Sequence, residues 1–162
     1  MAKVIRQKGD GADKLKRLRE ALKTDKQGKV GWFDNAKYED GTPAAYIAAI
    51  QEFGSPQNNI PPRSFMRTTI KERKQSWRDL AMQGAKAILN GKADVELVFE
   101  GIGQQAAGDI KKKISEITSP PLKTATIRAR LRKMADQSVV GKLNKPLVFT
   151  GYLLNSIENK VE

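Results

Sequence analysis

The sequence predicts an α+β fold: a small antiparallel sheet packed with a long helical hairpin and additional short helices. Three observations carry this expectation. Two long stretches, from Ser64 to about Leu89 and from about Ala93 to Ile117, repeat apolar residues at helical spacing, with Asn90-Gly91 between them. A short run at 29–34 alternates Val30 and Trp32 on one face and ends in Asp34-Asn35, as a strand and turn would. A final run, Ile157 to Val161, supplies a second strand to pair with it. A chain of 162 residues can bury the core of one domain. The expected organisation is a basic N-terminal helical segment at 1–27 and a single α+β domain at 28–162.

The elements follow in order. Residues 12–23 place Leu15, Leu18 and Leu22 on one stripe of a helix otherwise occupied by Lys14, Lys16, Arg17 and Arg19. Thr42-Pro43 predicts a helix start, with the Thr42 hydroxyl as N-cap. Residues 44–53 form that helix, with Tyr46, Ile47, Ile50 and Phe53 on one face. Ala44, Ala45, Ala48 and Ala49 permit close approach of another backbone. Gly54 stands where a left-handed C-cap belongs. Pro56, Asn58-Asn59 and Pro61-Pro62 make 55–63 irregular. Ser64 is read as the cap of the long helix that follows, whose stripe is Met66, Ile70, Trp77, Leu80, Gly84 and Ile88. The next helix carries Val95, Val98, Ile102, Ala106, Ile110, Ile114 and Ile117. Asp94 and Glu96 at its start and Lys111, Lys112 and Lys113 near its end suit the helix macrodipole. Two such helices about a tight glycine turn predict an antiparallel hairpin. Ser119-Pro120-Pro121 breaks the chain, Thr124 to Met134 reads as a short basic helix, 135–144 as a polar connection, and 150–156 as a helical turn.

Composition prunes the chemistry. There is no cysteine and no histidine, which removes thiol catalysis, zinc–thiolate sites, the commonest general base and the commonest metal ligand. No cofactor, metal or catalytic residue is expected. Asp94, Glu96 and Glu100 are the densest carboxylates, but their spacing does not converge them on one site. The run Gly-Ile-Gly-Gln-Gln-Ala at 101–106 copies half of a dinucleotide fingerprint; it continues a helical repeat instead of following a strand. It predicts helix packing through Gly101, Ala107 and Gly108. No window holds the ~20 apolar residues of a membrane span, and the N-terminus lacks the apolar stretch of a secretory signal, so a soluble protein made in the cytoplasm is expected.

The balance of 30 Lys+Arg against 18 Asp+Glu leaves a charge of +12, which attracts polyanions or acidic protein surfaces. Lys123, Arg128, Arg130, Arg132 and Lys133, with Lys142 nearby, form the strongest basic cluster, suited to DNA phosphate or an acidic partner without reading sequence. An ordered loop is expected from Phe53-Gly54 to Met66. There Gly54, Pro61 and Pro62 limit the free chain, Phe65 is an aromatic anchor, and Arg63 and Arg67 flank it as a polar rim. Phe65 reads equally as an anchor for a neighbouring subunit and as a plug in its own core. Trp32 and Trp77 sit on apolar stripes and are read as core.

Four motifs carry a resemblance: Ala-Ala-Tyr-Ile-Ala-Ala-Ile-Gln-Glu-Phe-Gly at 44–54, Ile-Pro-Pro-Arg-Ser-Phe-Met-Arg-Thr-Thr-Ile at 60–70, the stretch from Ala106 to Arg130, and Lys-Pro-Leu-Val-Phe-Thr-Gly-Tyr-Leu-Leu-Asn-Ser-Ile at 145–157. In order and spacing they resemble the tail-completion or neck proteins of tailed bacteriophages, including virion-morphogenesis and minor-tail-Z-type tail components, over roughly residues 28–161. Two positions depart from that pattern: Ser64 stands where the family commonly has proline, and Phe149 where it usually has aspartate before the Thr-Gly pair. The resemblance implies a non-enzymatic virion protein that assembles as a homo-oligomeric ring, expected to be a hexamer. The ring would join head-completion proteins to the tail terminator or tail tube around the DNA path. A sequence-independent DNA-binding protein is the alternative.

Overall fold

The computed structural model describes residues 11–21, 23–136 and 143–162. Leu22, Lys142 and most of the polar connection at 135–144 lie outside them. In chain order the elements are α1 (Gly11–Ala21), β1 (Gly28–Gly31), α2 (Ala44–Phe53), a 3-10 turn (Pro56–Asn58), α3 (Met66–Leu89), α4 (Val95–Glu116), α5 (Thr124–Asp136), α6 (Tyr152–Asn155) and β2 (Glu158–Val161). The fold is α+β, as the sequence predicts.

β1 and β2 pair antiparallel, with Lys29 opposite Lys160 and Val30 opposite Asn159. Gln27 and Glu162 extend the ladder through reciprocal amide bonds of 2.6 and 3.0 Å. The ribbon lies on α4. An added Cβ at Gly103 would stand 2.8 Å from Asn159 Cβ, so only glycine lets β2 come this near the helix.

α3 and α4 form the hairpin. Gly84 faces Val98, Trp77 Nε1 donates to Asp109 Oδ2 at 2.8 Å, and Lys113 pairs with Glu72 at 2.6 Å; falling numbers on one helix meet rising numbers on the other. Gly91, at φ +68, closes α3 with amide bonds from Gly91 to Ile88 and from Lys92 to Ala87, the two-bond ending that a left-handed residue permits. Asp94 caps α4 by accepting from the Leu97 amide at 2.8 Å.

The core is off-centre. Ala107, Ile110 and Ile114 of α4 meet Ala48, Phe65, Leu147, Leu153 and Ile157, with Val30, Trp32 and Met66 packed around them. Trp32 packs edge-on against Phe65 at 5.8 Å and donates to the Leu153 carbonyl, so its half-buried ring has its N–H satisfied. α1 leans on α3 near the hairpin tip, where Arg17 reaches the Leu89 carbonyl, yet it buries none of its residues.

Several expectations are corrected. Thr42 does not cap α2: Pro43 occupies the cap position with no side-chain bond. The buried face of α2 is Ala44, Ala48 and Glu52, while Tyr46 and Phe53 are exposed. Ser64 does not cap α3. Gly101 and Gly108 meet nothing within 4 Å, and the packing roles on the hairpin and ribbon belong to Gly84 and Gly103. Ala107 is buried as expected.

Candidate assembly interface

The corner from α2 through the proline loop into α3 is organised by one carboxylate. Glu52 is 4% exposed and accepts four bonds: from Ser64 Oγ (2.6 Å), the Met66 amide (2.8 Å), the Arg67 amide (3.1 Å) and Arg67 Nε (2.9 Å). The first free amides of α3 are thus capped by the side chain of the preceding helix, a carboxylate at the positive end of the dipole. Burial opposes the charge on Glu52, but these donors outweigh it and hold its pKa below the usual glutamate value. Ser64 supplies one of the donors.

The loop between is ordered by its own backbone. Gly54 donates to the Ile50 carbonyl at 2.8 Å and sits at φ 80, ψ 171, a glycine-only region and not the left-handed helical one. Ser55 and Ile60 exchange amide bonds of 2.8 and 2.9 Å, Asn59 adopts the left-handed conformation, and the Arg63 amide returns to the Gln51 carbonyl at 2.7 Å.

The predicted interface residues separate. Phe65 is 0% exposed and is core. Arg63 is not a rim residue: it is buried, donating through Nε to the Pro120 carbonyl (3.0 Å), through Nη1 to Gln51 Oε1 (3.1 Å) and through Nη2 to the Pro121 carbonyl (3.4 Å). It therefore pins the second proline step to the first. Pro62 is exposed and Pro61 half-buried. Phe53 is 65% exposed, and the Arg67 guanidinium lies 4.8 Å over its ring. Beside them runs an apolar groove of about 260 Å³, lined by Trp32, Ala45, Ala49, Phe53, Met66 and Arg67 among others.

The basic helix separates too. Arg128, Arg132 and Lys133 are exposed on α5, and Lys123 is exposed just ahead of it. Arg130 turns inward, donating to the carbonyls of Leu143 (3.1 Å), Lys145 (2.7 Å) and Pro146 (2.9 Å), with the Phe149 ring 4.8 Å away. It is a tie between α5 and the C-terminal segment and not a free phosphate contact. Phe149 serves as its platform; α6 starts from Gly151, with no side-chain cap.

Glu52 went unnoticed in the sequence. Its signal is a lone carboxylate at i+4 from Ala48 and i+8 from Ala44, in the last turn of its helix.

No protein-family model, curated protein or solved structure matches this chain. Among the described residues, no group of three or more acidic side chains gathers as a metal site, and no helix is long and apolar enough to cross a membrane.

Proposed function

We propose that this protein is a structural, non-enzymatic subunit of a phage neck, a tail-completion protein that joins head to tail as a ring of identical copies around the DNA path. Its neighbours are other copies, six in the ring on the family resemblance, and the head-completion, tail-terminator or tail-tube proteins. The observation that carries the reading is Phe53, a large aromatic held in solvent above an apolar groove on a corner that is already ordered. Because the loop is fixed beforehand by Glu52, Gly54 and Arg63, docking costs little further chain entropy. In this arrangement Phe53 is the anchor, Ala45 and Ala49 admit a neighbour's backbone, and Arg67 forms the rim.

The test is size and location. Light scattering of the purified chain is expected to show a closed oligomer, and labelled protein is expected at the head–tail junction of intact particles. Phe53→Asp is expected to keep the helical signal and melting temperature but to remain monomeric and outside particles. A wild-type chain that stays monomeric and is missing from particles overturns the reading.

The exposed cations of α5 favour a second function, contact with DNA phosphate. The logarithm of the affinity should fall linearly with log salt, and replacing Arg128 and Arg132 together should lower that slope by about two. Gel shifts with no binding at low ionic strength eliminate it.

A further inference from the structure

Two guanidinium groups, Arg63 and Arg130, sit close enough for the charge of one to act on the other. Arg63 and Arg130 bond only to neutral oxygens, the carbonyls and amide named above. Neither makes an ion pair among the described residues. Burial lowers the pKa of each, and the charge of Arg63 lowers that of Arg130 further. Cations withdrawn from water in this way ordinarily have an anionic partner.

Arg130 lines a cleft of about 210 Å³ between α2 and the C-terminal segment, together with Tyr38, Ile47, Gln51, Phe149 and Thr150. Gln51 is the amide that Arg63 holds, so the cleft is coupled to both guanidiniums. The three carbonyl bonds of Arg130 occupy Nη1 and part of Nη2, so among the described residues Nε–H and one Nη2 hydrogen have no acceptor. Size narrows the ligand. The space is smaller than the ~300–1,000 Å³ of small-molecule sites, but it holds a single side chain. Its lining is mixed, with Tyr38, Gln51 and Thr150 beside Ile47 and Phe149. A methylene stem ending in a carboxylate matches it better than a hydrated phosphate, and a planar fork suits a carboxylate.

We propose that this cleft receives an aspartate or glutamate side chain from an acidic segment of a neighbouring protein, its carboxylate pairing with Arg130 and its stem resting on Phe149 and Ile47. The site is separate from the Phe53 groove and stands without the neck assignment.

The experiment follows the arginine Nε–H signals by NMR in the full chain. Three probes are added: a capped Ala-Glu-Ala peptide, its Ala-Gln-Ala counterpart and inorganic phosphate. The expected result is a saturable Arg130 shift with the glutamate peptide, its half-saturation at least tenfold lower than with either control. Arg128 and Arg132 on the same helix should move only in proportion to added salt. Thr150→Glu, which tethers a carboxylate at the cleft, is expected to raise that half-saturation at least tenfold. The proposal is overturned if Arg130 shifts no more than Arg128 and Arg132, if phosphate saturates it as readily, or if Thr150→Glu leaves the titration unchanged.

Discussion

Glu52 is the residue on which the corner turns. Replacing it with alanine leaves two α3 amides, the Ser64 hydroxyl and the Arg67 Nε–H without their acceptor, and the expected loss is about 2–4 kcal/mol in chemical denaturation. Its pH behaviour has a definite sign. The folded-state pKa lies below the unfolded one, so the stabilisation is complete above the unfolded value and is lost as pH falls through the folded one. Glu52→Gln should therefore be less stable at neutral pH but lose stability less steeply below about pH 4 than wild type. Gly54 is the second such position. At φ 80, with Ile60 O and Pro62 N each 2.9 Å from where a Cβ would stand, alanine should cost about 2–3 kcal/mol, read from the denaturation midpoint. The sequence announced Gly54 through its place after an apolar run. It did not announce Glu52 or Arg63, because both act on groups many positions away and their charge argues for the surface until a partner is known.

Between elements, four glycines of the hairpin sort into two kinds. At Gly84 and Gly103 an added methyl meets Val98 at 2.3 Å and Asn159 at 2.8 Å, so alanine should loosen the hairpin and the ribbon by about 1–3 kcal/mol. At Gly101 and Gly108 nothing stands within 4 Å, so alanine should stabilise by about 0.5–1 kcal/mol through helix propensity alone. Thermal melts of the four single variants check both signs. Helix positions were legible because their stripes are long, and Asp94 and Asn90-Gly91 mark the turn between α3 and α4 locally. The face of α2 was not: it is short and nearly all apolar, so Tyr46 and Phe53 fit an inward stripe as well as Ala44 and Ala48 do. Tertiary packing chose the small residues, because α2 must lie close to Phe65 and α6.

At the scale of the molecule, stability is concentrated around the C-terminal half of α4, and α1 stands outside it. Deleting residues through 23 should leave a cooperative fold and cost no more than about 2 kcal/mol, since no side chain of α1 is buried. The remaining ladder still begins at Gln27, and Lys26 keeps its pairing with Glu96. A broad unfolding transition in the shortened chain would contradict this.

The ribbon itself has an engineering consequence. Lys29 and Lys160 face one another across the two strands, far apart in sequence, in a polypeptide that has no native thiol. Cysteines at both positions would find no rival for oxidation, and opposed strand residues lie within disulfide reach. Such a clasp would encircle nearly every helix in one covalent loop, worth roughly 5 kcal/mol on loop-entropy grounds, and would tether the termini without touching the Phe53 groove or the arginine cleft.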